Sequence, residues 1–111
     1  MPTFKKSISK KKDFDNIFKK GKSIKGVFLL LRFMQNDLKF NRFAFIVSKK
    51  VSAKAVLRNK VRRRLSEAIK EFNKSGENGL DLVFIALPKI KEKNFAEIQA
   101  EVKNILSKVF K

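Results

Sequence analysis

Apolar positions along the chain follow two different periods, and the switches between them mark out the elements. From about Lys10 to Lys20, Phe14, Ile17 and Phe18 recur at i, i+3 and i+4, and Gly21 follows. That spacing predicts a short helix with a glycine stop. Residues 27–34, VFLLLRFM, are too short and too continuously apolar for an amphipathic helix, and QNDLK separates them from FNRFAFIV at 40–47. The two runs read as a β-hairpin. From about Ala53 to Asn73, Leu57, Val61, Leu65, Ala68, Ile69 and Phe72 lie on one stripe of a 3.6-residue period that SGENG at 75–79 ends, so a long amphipathic helix is expected. LDLVFIAL at 80–87, closed by Pro88, suits a strand buried within a sheet. Asn94 and Glu97 form a capping-box pattern ahead of Phe95, Ile98, Val102, Ile105, Leu106, Val109 and Phe110, which predicts a closing amphipathic helix. The order is α-β-β-α-β-α, an α+β fold in which a single-layer sheet packs with helices and the central helix crosses between the second and third strands. No repeat or Pro/Gly/Ser linker divides it, so residues 1–111 read as one domain with a flexible basic arm at 1–8.

Composition turns this fold towards a class of partner. With 111 residues, 43% of them hydrophobic and twelve Phe, the chain can bury one core without staples. Against that stand 28 Lys and Arg and 10 Asp and Glu, a net charge of +18. Self-repulsion on that scale calls for a polyanion, either nucleic acid or an anionic membrane. Apolar runs such as VFLLL at 27–31 fall far short of the roughly 20 residues a bilayer span needs. The charged start MPTFKKSISKKKDF has no apolar segment behind it, and cysteine is absent, both of which fit a cytoplasmic protein.

Histidine and cysteine are both missing, so the usual general bases, nucleophiles and soft metal ligands are not available. The carboxylates are scattered, and the one close pair, Asp13 and Asp15, points to different sides of its helix and reads as solvated or N-terminal helix charge. No Gly-rich phosphate loop occurs. The polypeptide is expected to perform no chemistry by itself and to take no small-molecule substrate.

Six of the 28 basic residues are Arg, and four of those six lie in RNKVRRR at 58–64. Arg offers a planar fork for phosphate and base edges where Lys offers a solvated point charge, so the clustering suggests that the fork is needed there. On a helical wheel Asn59, Arg63 and Lys70 lie opposite the apolar stripe, Lys60 and Arg62 flank the polar arc, and Arg58 and Arg64 sit nearer its apolar border. A plain solvated face with border arginines snorkelling over the core would look similar. Only Glu67 and Glu71 offer in-helix partners, however, and SKKVSAK at 48–54 adds Lys49, Lys50 and Lys54 just before the helix. A compact basic site at a strand-to-helix junction is a common way to grip a phosphate backbone. Each Phe taken alone fits core packing. If the helices leave part of a sheet face open, Phe14, Phe18 and strand aromatics gain a second use in stacking unpaired bases.

RFAFIVSKKVSAKAVLRNKVRRRLSEAI, residues 42–69, resembles the signature of the bacterial ribonuclease P protein family. That signature runs from an Arg-led strand through a Ser-Lys-Lys turn into an Arg-Asn-Arg helix followed by two basic residues. KKKDFDNIFKKGKSI at 10–24 resembles the family's first helix and DLVFIALP at 81–88 its last strand, so the similarity spans about residues 8–110. Lys60 stands where Arg is usual, Ala44 where a strand Gly is usual, Ser52 and Ala53 where many members have one Gly, and Leu87 where a basic residue is common.

The resemblance implies a ribosomal-protein-like RNA-binding domain with a left-handed βαβ crossover through the central helix, against the general right-handed rule. It implies a non-catalytic subunit that binds a catalytic RNA and the 5′ leader of precursor tRNA, while the RNA removes the leader with Mg2+ that it mainly holds itself. No tightly protein-bound cofactor is implied, and the expected partners are the catalytic RNA and precursor tRNA. Carried onto this chain, RNA contacts fall on Lys49, Lys50, Arg58, Asn59, Lys60, Arg62 and Arg63, joined by Lys54 and Lys70 on charge and placement, and the leader cleft on Phe14, Phe18, Ser48 and Lys49. The alternative is a structural ribosomal RNA-binding protein with a similar split α+β domain; a free-standing nuclease lacks a general base.

Overall fold

The most continuously apolar strand of the sequence occupies the middle of the sheet. The computed structural model describes Ile8 and residues 10–38, 40–72 and 79–109, which form α1 (Lys11–Lys20), β1 (Lys22–Lys25), β2 (Leu29–Gln35), β3 (Arg42–Ile46), α2 (Ala55–Phe72), β4 (Leu80–Ala86), a 3₁₀ turn (Pro88–Glu92) and α3 (Phe95–Val109). The four strands lie in the order β1-β2-β4-β3. β4 is antiparallel to β2 and parallel to β3, so α2 is the crossover between two neighbouring parallel strands.

The hairpin expected between the second and third apolar runs does not form, because β4 separates β2 from β3. A strand that is apolar on both faces gains most from the central position, where both faces are covered. The observed hairpin is one step earlier. β1, which the apolar pattern does not reveal in KSIK, pairs with β2 in the register Lys22↔Phe33 to Lys25↔Leu30. Val27 and Phe28 therefore sit in a turn, where Glu101 of α3 accepts both of their main-chain N–H groups (3.1 and 2.7 Å). Gly26 permits this approach, since a Cβ there would lie 2.7 Å from the Glu101 carboxylate.

Alternation along the strands divides the apolar residues between two faces. Leu29, Leu31, Phe43, Leu82, Phe84 and Ala86 meet Val61, Leu65, Ala68 and Ile69 of α2 and Ile98, Val102, Ile105 and Leu106 of α3 in the main core. The expected capping box forms: Asn94 Oδ1 accepts the Glu97 N–H (2.9 Å) and Glu97 Oε1 accepts the Asn94 N–H (3.0 Å). On the opposite face α1 covers a smaller cluster of Ile8, Ile17, Ala44 and Val83, flanked by Phe14, Met34, Ile46 and Ile85. Helices thus cover both faces of the sheet. The buried stripe of α2 begins at Val61; Leu57, expected on it, is 40% exposed, and the Phe72 and Phe110 side chains lie outside the described residues. So does the expected basic arm, apart from Ile8, which is buried and donates its N–H to the Phe43 carbonyl (3.1 Å).

One polar cluster interrupts the α1 face. Asp81, at the start of β4, is buried and accepts Nε and Nη2 of Arg42 (2.8 and 2.6 Å) and Nδ2 of Asn36 (2.8 Å). Arg42 also reaches Asp13 of α1 (3.3 Å), so Asp13 is a partner in this cluster rather than only a solvated helix charge. The hydrogen bond that Arg42 donates to Asp81, with the charge of both carboxylates added, raises the Arg42 pKa above its ordinary value despite burial. A group whose pKa rises on folding contributes its stability below the unfolded value, so the Arg42 guanidinium stays charged and its contribution is present throughout the pH range below its ordinary value. Arg42→Ala is expected to cost about 3 kcal/mol, because it leaves a buried carboxylate without its counter-charge. Asp13→Ala should cost under about 1 kcal/mol for its more peripheral pair. Equilibrium denaturation of the two variants checks this, and equal losses would contradict it.

Candidate nucleic-acid interface

The basic segment between β3 and α2 is an ordered platform built by short-range hydrogen bonds. Val47 and Val51 insert into the main core and anchor it at two points. Between and after them, Ser48 Oγ accepts the Lys50 N–H and Ser52 Oγ accepts the Lys54 N–H (both 3.2 Å), two local turns of the kind serine favours. Lys49, Lys50 and Lys54 are left exposed. The Lys54 carbonyl accepts the N–H groups of Leu57 and Arg58 (both 3.1 Å) and starts α2. The first turn of α2 carries no acidic residue, so nothing in it offsets the positive helix end for an incoming anion.

The four arginines of RNKVRRR, of which Arg58, Arg62 and Arg63 are expected to contact RNA, divide by role. Arg58 folds back, its Nη1 donating to the carbonyls of Ser52 (3.0 Å) and Ala53 (2.9 Å), and so clamps the platform to the helix. Arg62 donates to Asn59 Oδ1 (2.5 Å) and makes a long contact with the Val47 carbonyl (3.5 Å). Arg64 ties α2 to the carbonyl of Lys93 ahead of α3 (3.2 Å). Lys60 and Arg63 are exposed and have no side-chain hydrogen bond or ion pair among the described residues, whereas Lys70 pairs with Glu67 across the exposed helix surface (3.2 Å). Asn59, Lys60 and Arg63 on α2 are thus exposed, as are Lys49, Lys50 and Lys54 in the segment that leads into it, while Arg62 is half-buried and bonded to Asn59. Val56 and Leu57 add apolar area to the same end of α2, 73% and 40% exposed.

The aromatic pair on α1 lies on the other face of the sheet. Phe14 is half-buried against the smaller cluster beside Ile46 and Ile85, and Phe18 is 43% exposed. Leu30, Ile85 and Ile46 are paired in a row across β2, β4 and β3, and all three are only half-buried, so α1 leaves this end of the sheet face partly open. Ser48 and Lys49 follow directly from the β3 end of that row. Leu87 is half-buried, and its N–H is spent on the Phe28 carbonyl (3.0 Å).

Sequence reasoning passed over Arg32. An arginine inside the apolar run FLLLRFM was the available signal, since a charge within a strand needs a specific partner. Its Nη2 donates to the carbonyls of Ile17 (3.0 Å) and Phe18 (2.5 Å), its Nη1 to Ser23 Oγ (2.7 Å), and its Cζ lies 5.9 Å from the centre of the Phe18 ring.

The division among the arginines makes a stability prediction. Arg58→Ala should cost about 1–2 kcal/mol, because two backbone carbonyls lose their donor. Arg63→Ala should stay within about 0.5 kcal/mol of the parent, as surface substitutions generally do. Chemical denaturation reads both, and a large loss for Arg63→Ala would mean that it holds the fold.

Comparison with known proteins agrees along the chain. The sequence profile of the Ribonuclease P family matches residues 3–109. The ribonuclease P protein component of Thermoanaerobacter sp. strain X514 is 35% identical over 101 residues, which cover 91% of this chain and 86% of that protein. The corresponding protein of Clostridium botulinum is 37% identical over 102 residues, 91% of each. Among solved structures, the Staphylococcus aureus RNase P protein superposes with a TM-score of 0.84 at 31% identity, covering 93% of this chain and 94% of that one. The Thermotoga maritima RNase P protein gives 0.83 at 27% identity, covering 94% and 97%. The chain belongs to the Ribonuclease P family of protein components, and its work lies in tRNA processing.

Proposed function

We propose that this protein binds the catalytic RNA of ribonuclease P through the basic platform and α2, and holds the 5′ leader of precursor tRNA against the sheet face beside α1. The observation that carries the reading is the exposed surface of Lys49, Lys50, Lys54, Asn59, Lys60 and Arg63, where the cations have no ion-pair partner among the described residues. Cations left unneutralised on a rigid platform are positioned to replace the counterions of a phosphate backbone. Arg62 adds its guanidinium at the edge, Arg58 shapes the platform from within, and Lys70 extends the surface along the helix. Phe14, Phe18, Ser48 and Lys49 line the proposed leader path, with the exposed Phe18 ring available for an unpaired base.

The division of labour leaves hydrolysis to the RNA. The chain has no His or Cys, and among the described residues no three carboxylates come together. Asp13 and Asp81 are both engaged by Arg42. These donors do not suit a protein-held Mg2+, and the reading places Mg2+ with the RNA. No helix among the described residues is long and apolar enough to cross a membrane. A cytoplasmic site of action suits the RNA partners.

The direct experiment is multiple-turnover cleavage of precursor tRNA at near-physiological Mg2+ by the catalytic RNA, with and without this protein. A clear gain on adding the protein is expected, and no gain would defeat the reading. Arg63→Ala should weaken binding of the catalytic RNA and lower the slope of log affinity against log salt by about one, the signature of one lost phosphate contact. An unchanged slope would make Arg63 a merely solvated residue.

A further inference from the structure

Helix α1 buries only one residue completely, Ile17 in its last turn, so packing pins the helix at one point and does little to fix the exposed Phe18 ring beside it. Arg32 supplies what packing lacks. It lies on β2 opposite Val83 of β4 and Ser23 of β1, on the sheet face that α1 covers. Its guanidinium takes the Ile17 and Phe18 carbonyls of the last turn of α1 together with Ser23 Oγ, and so joins the helix to two strands. A cation at those carbonyls also meets the negative end of the helix dipole. Arg32 Nε is buried with no partner among the described residues, a penalty that the other contacts must outweigh. The same guanidinium stands by the Phe18 ring at 5.9 Å, while 43% of Phe18 remains exposed.

We propose that Arg32 is a positioning residue for the precursor tRNA leader: it fixes the last turn of α1 and braces the Phe18 ring so that its exposed side is presented to an unpaired leader base. This rests on the proposed function, in which Phe18 lies on the leader path. A stacking ring that pivots loses contact area with the base, and the three backbone and hydroxyl bonds of Arg32 restrain that pivot. Lysine cannot replace it, because a single ammonium cannot span two carbonyls and a hydroxyl while lying beside a ring.

The test uses the holoenzyme assembled from the catalytic RNA and the full chain, and measures the ratio of affinities for leader-bearing and mature tRNA. Phe18→Ala should lower that ratio about fivefold or more, as loss of one stacked base implies. Arg32→Gln and Arg32→Lys should each lower it about two- to fivefold, the worth of a cation at a ring. Combining either with Phe18→Ala should lower the ratio no further than Phe18→Ala alone, because the two residues act through one ring. If the Gln variant fails to fold, the Lys variant, which keeps the charge, decides. A parental ratio in Arg32→Lys together with a reduced one in Phe18→Ala overturns the inference and leaves the leader path standing. Losses that multiply in the double variant overturn it too, since Arg32 would then act apart from Phe18. An unchanged ratio in Phe18→Ala overturns both this inference and the leader-path reading.

Discussion

Burial of β4 on both faces is the constraint from which the rest of the structure follows. Leu82, Val83 and Phe84 are fully buried in succession, which requires a neighbour strand on each edge and a helix layer on each face. β2 and β3 supply the edges, α2 and α3 one face, and α1 the other. With β4 between them, β2 and β3 cannot pair, although only residues 36–41 link them. Asp81, the one charge at the buried start of β4, is tolerated because Arg42 and Asn36 satisfy it. Because β3 lies beside β4 and parallel to it, the chain leaving β3 must cross over before β4 can begin. That crossover is the basic platform and α2.

The arginines show how a chain with a large positive excess keeps its shape. Arg32, Arg42, Arg58, Arg62 and Arg64 all spend guanidinium donors on the protein's own carbonyls, carboxylates, amide or hydroxyl oxygens. Arg63 is the exception among the described residues. The planar fork that suits phosphate suits two adjacent carbonyls equally well, and here it is used mostly inward. The bulk of the positive charge is left to lysines, whose single ammonium is better solvated and does not specify geometry. Fold and proposed binding surface are thus largely separated by residue type as well as by position. The platform can be held rigid by Arg58 and Val51 while Lys49, Lys50 and Lys54 remain available.

A second separation concerns the two faces of the sheet. The α2–α3 face is a thick apolar core that needs little polar help. The α1 face buries few residues and is tied by Arg42 near the start of α1 and Arg32 at its end. A helix fixed by charged hydrogen bonds rather than by a broad apolar contact can leave the neighbouring row of Leu30, Ile46 and Ile85 partly uncovered. The proposed leader path depends on that partial cover.

The sequence by itself determined what is local. The 3.6-residue stripes of α2 and α3, the reciprocal Asn94–Glu97 cap, the continuous apolar run of β4 and the run of basic residues ahead of α2 all state their structure within a few turns of chain. The wheel likewise placed Arg58 and Arg64 at the apolar border, where their side chains are now seen bonded to backbone. Only the tertiary structure decided that β4 separates β2 from β3, that the polar KSIK forms β1, that Leu57 falls outside the core and that Arg32 and Arg42 hold α1. Periodicity reports which face of an element is apolar, but several strand orders bury the same faces. A guanidinium's partner is chosen by groups that meet only once the chain has folded, 15 residues away for Arg32 and Ile17 and 39 for Arg42 and Asp81.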